Sequence, residues 1–148
     1  MSDKVTFTLP NQDGEMVSDS DFAGKRYVMF FYPKAMTPGC TIESCDFRDG
    51  YSEFAQAGYE IVGVSPDPPS RNKKFIEKER LNFDLLSDED LDLAKSLGAW
   101  GKKNLYGKIS KGLIRSTFVI DEEGQVAEAY RNVKAQGHVE RVKADLLG

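Results

Sequence analysis

The stretch Tyr27-Val28-Met29-Phe30-Phe31-Tyr32-Pro33-Lys34-Ala35-Met36-Thr37-Pro38-Gly39-Cys40-Thr41-Ile42-Glu43-Ser44-Cys45 joins an unbroken apolar and aromatic run to a helix-start signal. The first six residues are of strand length and do not alternate, the pattern of a central strand buried on both faces. Thr37 is a favoured N-cap and Pro38 a favoured first helical residue, which puts Cys40 at the third helical position. Phe47, Tyr51 and Phe54 then recur at i, i+4 and i+7 and predict that the helix continues to a C-cap at Gly58. Tyr59-Glu60-Ile61-Val62-Gly63-Val64 is a second strand of the same kind, so strand, helix and strand form a right-handed βαβ unit.

Outward from this unit, Ser116-Thr117-Phe118-Val119-Ile120 is a third central strand. Residues 125–130, beyond the turn Asp121-Glu122-Glu123-Gly124, read as a strand antiparallel to it. Helices are predicted over 70–80 and 90–97, and at the end of the chain, where Val139, Val142 and Leu146 share a face. Residues 5–9 and 15–18 flank Asn11-Gln12-Asp13-Gly14 as a peripheral hairpin. The expectation is an α/β fold around a mixed sheet, one domain over 1–148, with no repeat or linker to divide it.

Composition narrows the function classes. The chain has 148 residues, 40% of them hydrophobic, a formal charge of -4 and a pI near 5.1. Acidic and basic residues are interspersed, which leaves no footprint for nucleic acid or an anionic membrane. The start, Met1-Ser2-Asp3-Lys4-Val5-Thr6, lacks a signal-peptide pattern, and no apolar run reaches membrane-spanning length, so a cytoplasmic protein is expected.

The chemistry lies in the two cysteines. Unsatisfied N–H groups and the positive end of the helix dipole in the first turn favour a thiolate at Cys40, which is therefore expected to be a nucleophile. Burial as a small hydrophobe is the competing reading. On a continuous helix the Cα atoms of Cys40 and Cys45 stand about 8.6 Å apart and roughly 140° around the axis. A disulfide reaches less than about 7 Å. A Cys40/Cys45 bond therefore requires the first turns to unwind, which suits a catalytic cycle rather than a staple. The other reading of Cys45 is a half-buried structural residue, because C-x4-C is less diagnostic than C-x-x-C. With two cysteines and the single histidine His138, Cys and His alone cannot close a four-ligand zinc site. His138 is expected to be solvated near the start of the last helix, and Trp100 to serve packing.

Pro33-x-x-x-Thr37-x-x-Cys40 resembles the active-site signature of the peroxiredoxins. Cys40-Thr41-Ile42-Glu43-Ser44-Cys45 is similar to the atypical two-cysteine subgroup called bacterioferritin comigratory protein or peroxiredoxin Q. The likeness extends through Phe47-Arg48-Asp49, Gly63-Val64-Ser65-Pro66-Asp67, Asn82-Phe83-Asp84-Leu85-Leu86-Ser87-Asp88, Tyr106-Gly107-Lys108 and Arg115-Ser116-Thr117-Phe118-Val119-Ile120-Asp121. It departs at Ala35-Met36, where similar proteins often carry acidic residues, a change at the mouth of the pocket. The resemblance implies a thioredoxin-like fold, a central mixed β-sheet flanked by helices with an N-terminal β-hairpin extension.

It also implies roles. Cys40 would be the peroxidatic cysteine, attacking hydrogen peroxide or an organic hydroperoxide and becoming a sulfenic acid. Cys45 would be the resolving cysteine, and thioredoxin or a similar dithiol would reduce the resulting disulfide. Arg115, which spacing alone does not single out, would stabilise the thiolate and donate to the peroxide. Thr37 would hold the other side of the peroxide and Pro33 would shield the sulfur. Glu43 would either orient Arg115 or act as a first-turn acid. No metal, haem or flavin cofactor is implied, and an intramolecular cycle needs only a monomer. Two other classes compete: a thiol-disulfide oxidoreductase, which shares the fold but against which the missing C-x-x-C argues, and a non-enzymatic redox sensor that passes a Cys40/Cys45 disulfide to a partner.

Overall fold

The structure, a computed structural model, describes residues 4–105 and 108–147. The readings that fall on residues 1–3 and on Tyr106-Gly107 lie outside it. Among the described residues the chain runs β1 (Thr8–Pro10), β2 (Met16–Ser18), a 3-10 turn (Asp19–Phe22), β3 (Arg26–Phe31), α1 (Pro38–Gln56), β4 (Tyr59–Ser65) and α2 (Pro69–Glu79). It continues through β5 (Asp84–Ser87), α3 (Asp92–Ser96), β6 (Trp100–Leu105), β7 (Lys108–Leu113), β8 (Ser116–Ile120), β9 (Val126–Arg131) and α4 (His138–Leu147).

Five strands form one sheet in the order β5-β4-β3-β8-β9. The pairs β3/β4 and β4/β5 are parallel, whereas β3/β8 and β8/β9 are antiparallel, which gives the expected mixed sheet. Its middle strand β3 is buried from Tyr27 to Phe31, as its unbroken apolar pattern requires. Val28, Phe30 and Tyr32 enter one core with Phe47 and Phe54 of α1, Phe75 of α2 and Val139 and Val142 of α4. Tyr27, Met29 and Phe31 enter the opposite core with Leu93 and Ala94 of α3 and with Val5 and Phe7. Burying Phe47 and Phe54 stabilises the docking of α1 by about 1.5–3 kcal/mol each, and the ring of Phe47 stacks on Phe30 at 4.6 Å between centroids.

The structure shifts some expectations. The amino-terminal hairpin pairs Thr8 with Ser18 and Pro10 with Met16, later than 5–9. The residues before it are not peripheral, because Val5 and Phe7 are buried. The edge strand β5 and the separate β6/β7 hairpin had no clear sequence signal. α1 ends at Gln56, and Gly58 follows with φ at 90°, the left-handed geometry that glycine tolerates. No helix among the described residues is long and apolar enough to cross a membrane.

Candidate active site

β3 ends at Phe31, and residues 32–37 turn the chain into α1. Thr37 is the N-cap, Pro38 opens the helix and Cys40 falls in the first turn, as the sequence predicts. The Thr37 hydroxyl does not cap the helix but donates to Lys34 O at 2.8 Å, so its lone pairs remain available to accept a hydrogen bond. The turn is held from below. Asp67 Oδ2 accepts from Ala35 N at 2.8 Å, Asp67 Oδ1 pairs with Arg71 Nε at 3.2 Å, and Arg71 Nη2 donates to Ala35 O at 3.3 Å. Pro33 is half-buried at the start of this turn, and Met36 adopts a left-handed φ of 65°. Sequence reasoning did not single out Asp67 and Arg71 as the residues that hold this turn. The available signal was their i, i+4 spacing across the start of α2.

Cys40 is fully buried, in the core that also holds Tyr32, Ala35 and Phe47. Arg115 Nη2 donates to its Sγ at 3.4 Å. The antiparallel register of β3 and β8 sets Ser116 opposite Phe31, which delivers Arg115, one residue earlier, to the start of α1. Gly39 makes room for it: a Cβ there would lie 3.0 Å from Arg115 Nη2. Glu43, also fully buried, accepts from Arg115 Nη1 at 2.8 Å. It lies beyond the first turn of α1, with its carboxyl against the Arg115 guanidinium. Burial pushes the Glu43 carboxyl up to about 7, a rise that the Arg115 charge only partly offsets. Burial works against the Arg115 cation, yet Glu43 and the Cys40 sulfur outweigh it and hold that charge in place.

Cys45 lies elsewhere. It is a free, half-buried thiol whose Sγ–H donates to Glu79 Oε1 at 3.6 Å, away from the first turn. Its helix is continuous from Pro38 to Gln56, so the structure brings Cys40, Arg115, Glu43 and Thr37 together and leaves Cys45 apart. His138 corrects an expectation: it starts the last helix but is buried, with Nε2 2.7 Å from Thr117 Oγ1. Burial, then the charges of Arg141 and Arg115, lower it to about 4. Trp100 is half-buried, with Lys95 Nζ 5.2 Å from its ring centroid. Among the described residues no cluster of His, Cys, Asp and Glu could hold a metal ion.

The AhpC/TSA family model matches residues 2–129. The chain belongs to that family. Peroxiredoxin Bcp of Escherichia coli K12 is 46% identical over 132 residues, which span 89% of this chain and 85% of that protein. The bacterioferritin comigratory protein of Xanthomonas campestris, solved in a study of its alkyl peroxide reduction, superposes with a TM-score of 0.89 at 40% identity. That match covers 95% of this chain and 90% of the other. Xylella fastidiosa peroxiredoxin Q superposes with a TM-score of 0.90 at 32% identity, over 99% of this chain and 94% of its own. The fold is accordingly thioredoxin-like and the protein is a peroxiredoxin, a peroxidase that takes a peroxide substrate and a thiol reductant. This peroxiredoxin carries Ala35-Met36 in the turn that leads to Cys40, with the Ala35 backbone anchored as described.

Proposed function

We propose that Cys40 is the peroxidatic thiol, that it reduces hydrogen peroxide and organic hydroperoxides, and that Cys45 resolves it. The observation that carries this reading is the Arg115 guanidinium, which bridges Cys40 Sγ at 3.4 Å and Glu43 Oε1 at 2.8 Å. Held between the Glu43 carboxyl and the Cys40 sulfur, the guanidinium keeps its positive charge beside the reacting atom, where charge moves during attack. The Cys40 sulfur attacks the terminal oxygen of ROOH; the S–O bond forms as the O–O bond breaks, and the alkoxide leaves as ROH after taking a proton. Arg115 and the free N–H groups of the first turn of α1 stabilise the charge as it moves to the leaving oxygen. Thr37, with its proton committed to Lys34 O, accepts from the peroxide, and half-buried Pro33 limits access of water.

Cys40 is then a sulfenic acid. Cys45 attacks it: the S–S bond forms, the S–O bond breaks and water leaves. Both thiols are regenerated by an external dithiol such as thioredoxin, which is oxidised in turn. The cycle closes within one domain of one chain and draws on no bound metal or organic cofactor. We place it in the cytoplasm, where such reductants are kept reduced.

Peroxide stoichiometry tests the assignment. Cys40→Ser should consume no peroxide, and Cys45→Ser should consume about one equivalent and then stall without a second thiol. The wild type should turn over continuously when thioredoxin, thioredoxin reductase and NADPH are supplied. Sustained turnover by Cys40→Ser would remove the assignment.

A further inference from the structure

Resolution requires Cys45 to leave its place, and that place is more than a helix surface. Cys45 Sγ–H donates to Glu79 Oε1 at 3.6 Å, where Glu79 is the last residue of α2. One turn of α1 beyond Cys45, Arg48 Nη1 donates to Glu79 O at 2.5 Å, and Asn82 Nδ2 donates back to Arg48 O at 3.3 Å. Residues 45–48 are therefore laced by two bonds to Glu79 at the end of α2 and by a third to Asn82 in the segment that follows, and one of the three holds the thiol itself. We propose that Glu79 is a positioning residue that latches Cys45 as a thiol in the folded state and so limits the rate at which the Cys40 sulfenic acid is resolved. The proposal rests on the reading of Cys45 as the resolving thiol.

Cys45 faces opposed demands. A resolving sulfur reacts as the thiolate, and its reaction needs contact with Cys40. In the folded helix the two Cα atoms stand about 8.6 Å apart, so Cys45 must break from Glu79 before any S–S bond can form. The charged groups facing the thiol are Glu79 of α2 and Arg48 and Asp49 of α1. Burial first, then the two carboxylates, push the thiol up, and Arg48 works against them. Glu79 acts twice in the same direction, as the acceptor that tethers the S–H and as the negative charge that disfavours its loss. The condensation Cys40–SOH + HS–Cys45 → Cys40–S–S–Cys45 + H2O is delayed by that hold. A longer-lived sulfenic acid is the species that a second peroxide converts to sulfinic acid.

Rapid quenching after one equivalent of hydrogen peroxide, with intact-mass analysis, separates the sulfenic acid from the disulfide in time. Wild type, Glu79→Gln and Glu79→Ala should form the sulfenic acid at the same rate. Both variants should then form the disulfide roughly three- to tenfold faster and with the pH midpoint of that step moved down, as loss of a charged acceptor implies. Less sulfinic acid should accumulate under excess peroxide. An unchanged or slower second step in both variants would overturn the latch; the slower outcome would mark the carboxylate as a proton acceptor instead. A faster second step with an unmoved pH midpoint would also overturn it, because loosening of the α1/α2 contact alone does that. If no Cys40/Cys45 disulfide forms in the wild type, the reading of Cys45 fails, an outcome distinct from failure of the latch alone.

Discussion

Phe31 pairs with Ser116 across β3 and β8, and this one antiparallel contact aligns the two halves of the site. The carboxyl end of β3 feeds the turn into α1, and the residue before Ser116 is Arg115. Cys40 and Arg115 are 75 residues apart in sequence and 3.4 Å apart in space. The guanidinium uses separate nitrogens for Cys40 and Glu43.

Arg115→Lys tests that division of labour. An ammonium keeps the charge but lacks the planar fork that spans both partners. Its peroxide kcat/KM should fall by about a hundredfold, and Arg115→Gln by about a thousandfold, the scale seen when a charge-stabilising donor is removed. Stopped-flow peroxide consumption reads the rates. Equal activity of Arg115→Lys and wild type would mean that one contact suffices.

Gly39→Ala sets helix propensity against the site. Alanine in a helix is favoured over glycine by up to about 1 kcal/mol. Its Cβ, however, would lie 3.0 Å from Arg115 Nη2, and Glu43 prevents that side chain from yielding freely. The Tm should hold or rise while kcat/KM falls several-fold, as expected when a charged donor is displaced by a few tenths of an ångström. A variant as active as the wild type would show that the guanidinium has slack.

The turn before α1 can be loosened without touching the reacting atoms. Asp67→Ala strips the acceptor from Ala35 N and frees Arg71. A buried N–H left without a partner costs about 1–3 kcal/mol. The displaced turn carries Thr37, so kcat/KM for peroxide should drop roughly tenfold. Asp67→Asn, which preserves an acceptor, should recover most of it. Parallel thermal melts and initial rates distinguish a misplaced turn from general unfolding.

How far the sequence leads is visible in individual residues. β3, β4 and β8 are legible because their apolar runs reflect burial on both sides of the sheet. β5 is not, because it spans four residues and begins and ends with the polar Asp84 and Ser87. The β6/β7 hairpin starts Trp100-Gly101-Lys102-Lys103, which shows no period-2 alternation of apolar and polar residues. Thr37, Pro38 and Cys40 declare the helix start through local preferences, whereas Arg115 depends on strand register, which local spacing does not encode. The likeness of Arg115-Ser116-Thr117 to a family segment bridged that gap. His138 went the other way: a lone histidine reads as polar surface, and its partner Thr117 lies inside a buried strand 21 residues earlier.

That buried histidine gives a pH dependence with a definite sign. Its ordinary value of 6.5 falls to about 4 in the folded chain. Between those values the unfolded chain binds a proton that the folded chain refuses, so stability falls as pH drops through 6.5 and the loss levels off below about 4. The full loss is about 3 kcal/mol. Glu43 has the opposite sign in nearly the same window. Its value rises from 4.5 to about 7 on folding, so its cost is present above 7 and is relieved as pH falls toward 4.5. The two partly cancel in the wild type, and a single pH curve would hide both. His138→Gln keeps a polar partner for Thr117 and removes the titration. Urea unfolding at pH 7.5, 6, 5 and 4.5 should show the variant losing less stability on acidification than the wild type, with the gap widening toward pH 4.5. Parallel curves would mean that His138 takes up its proton in the folded state, against the burial seen beside Thr117.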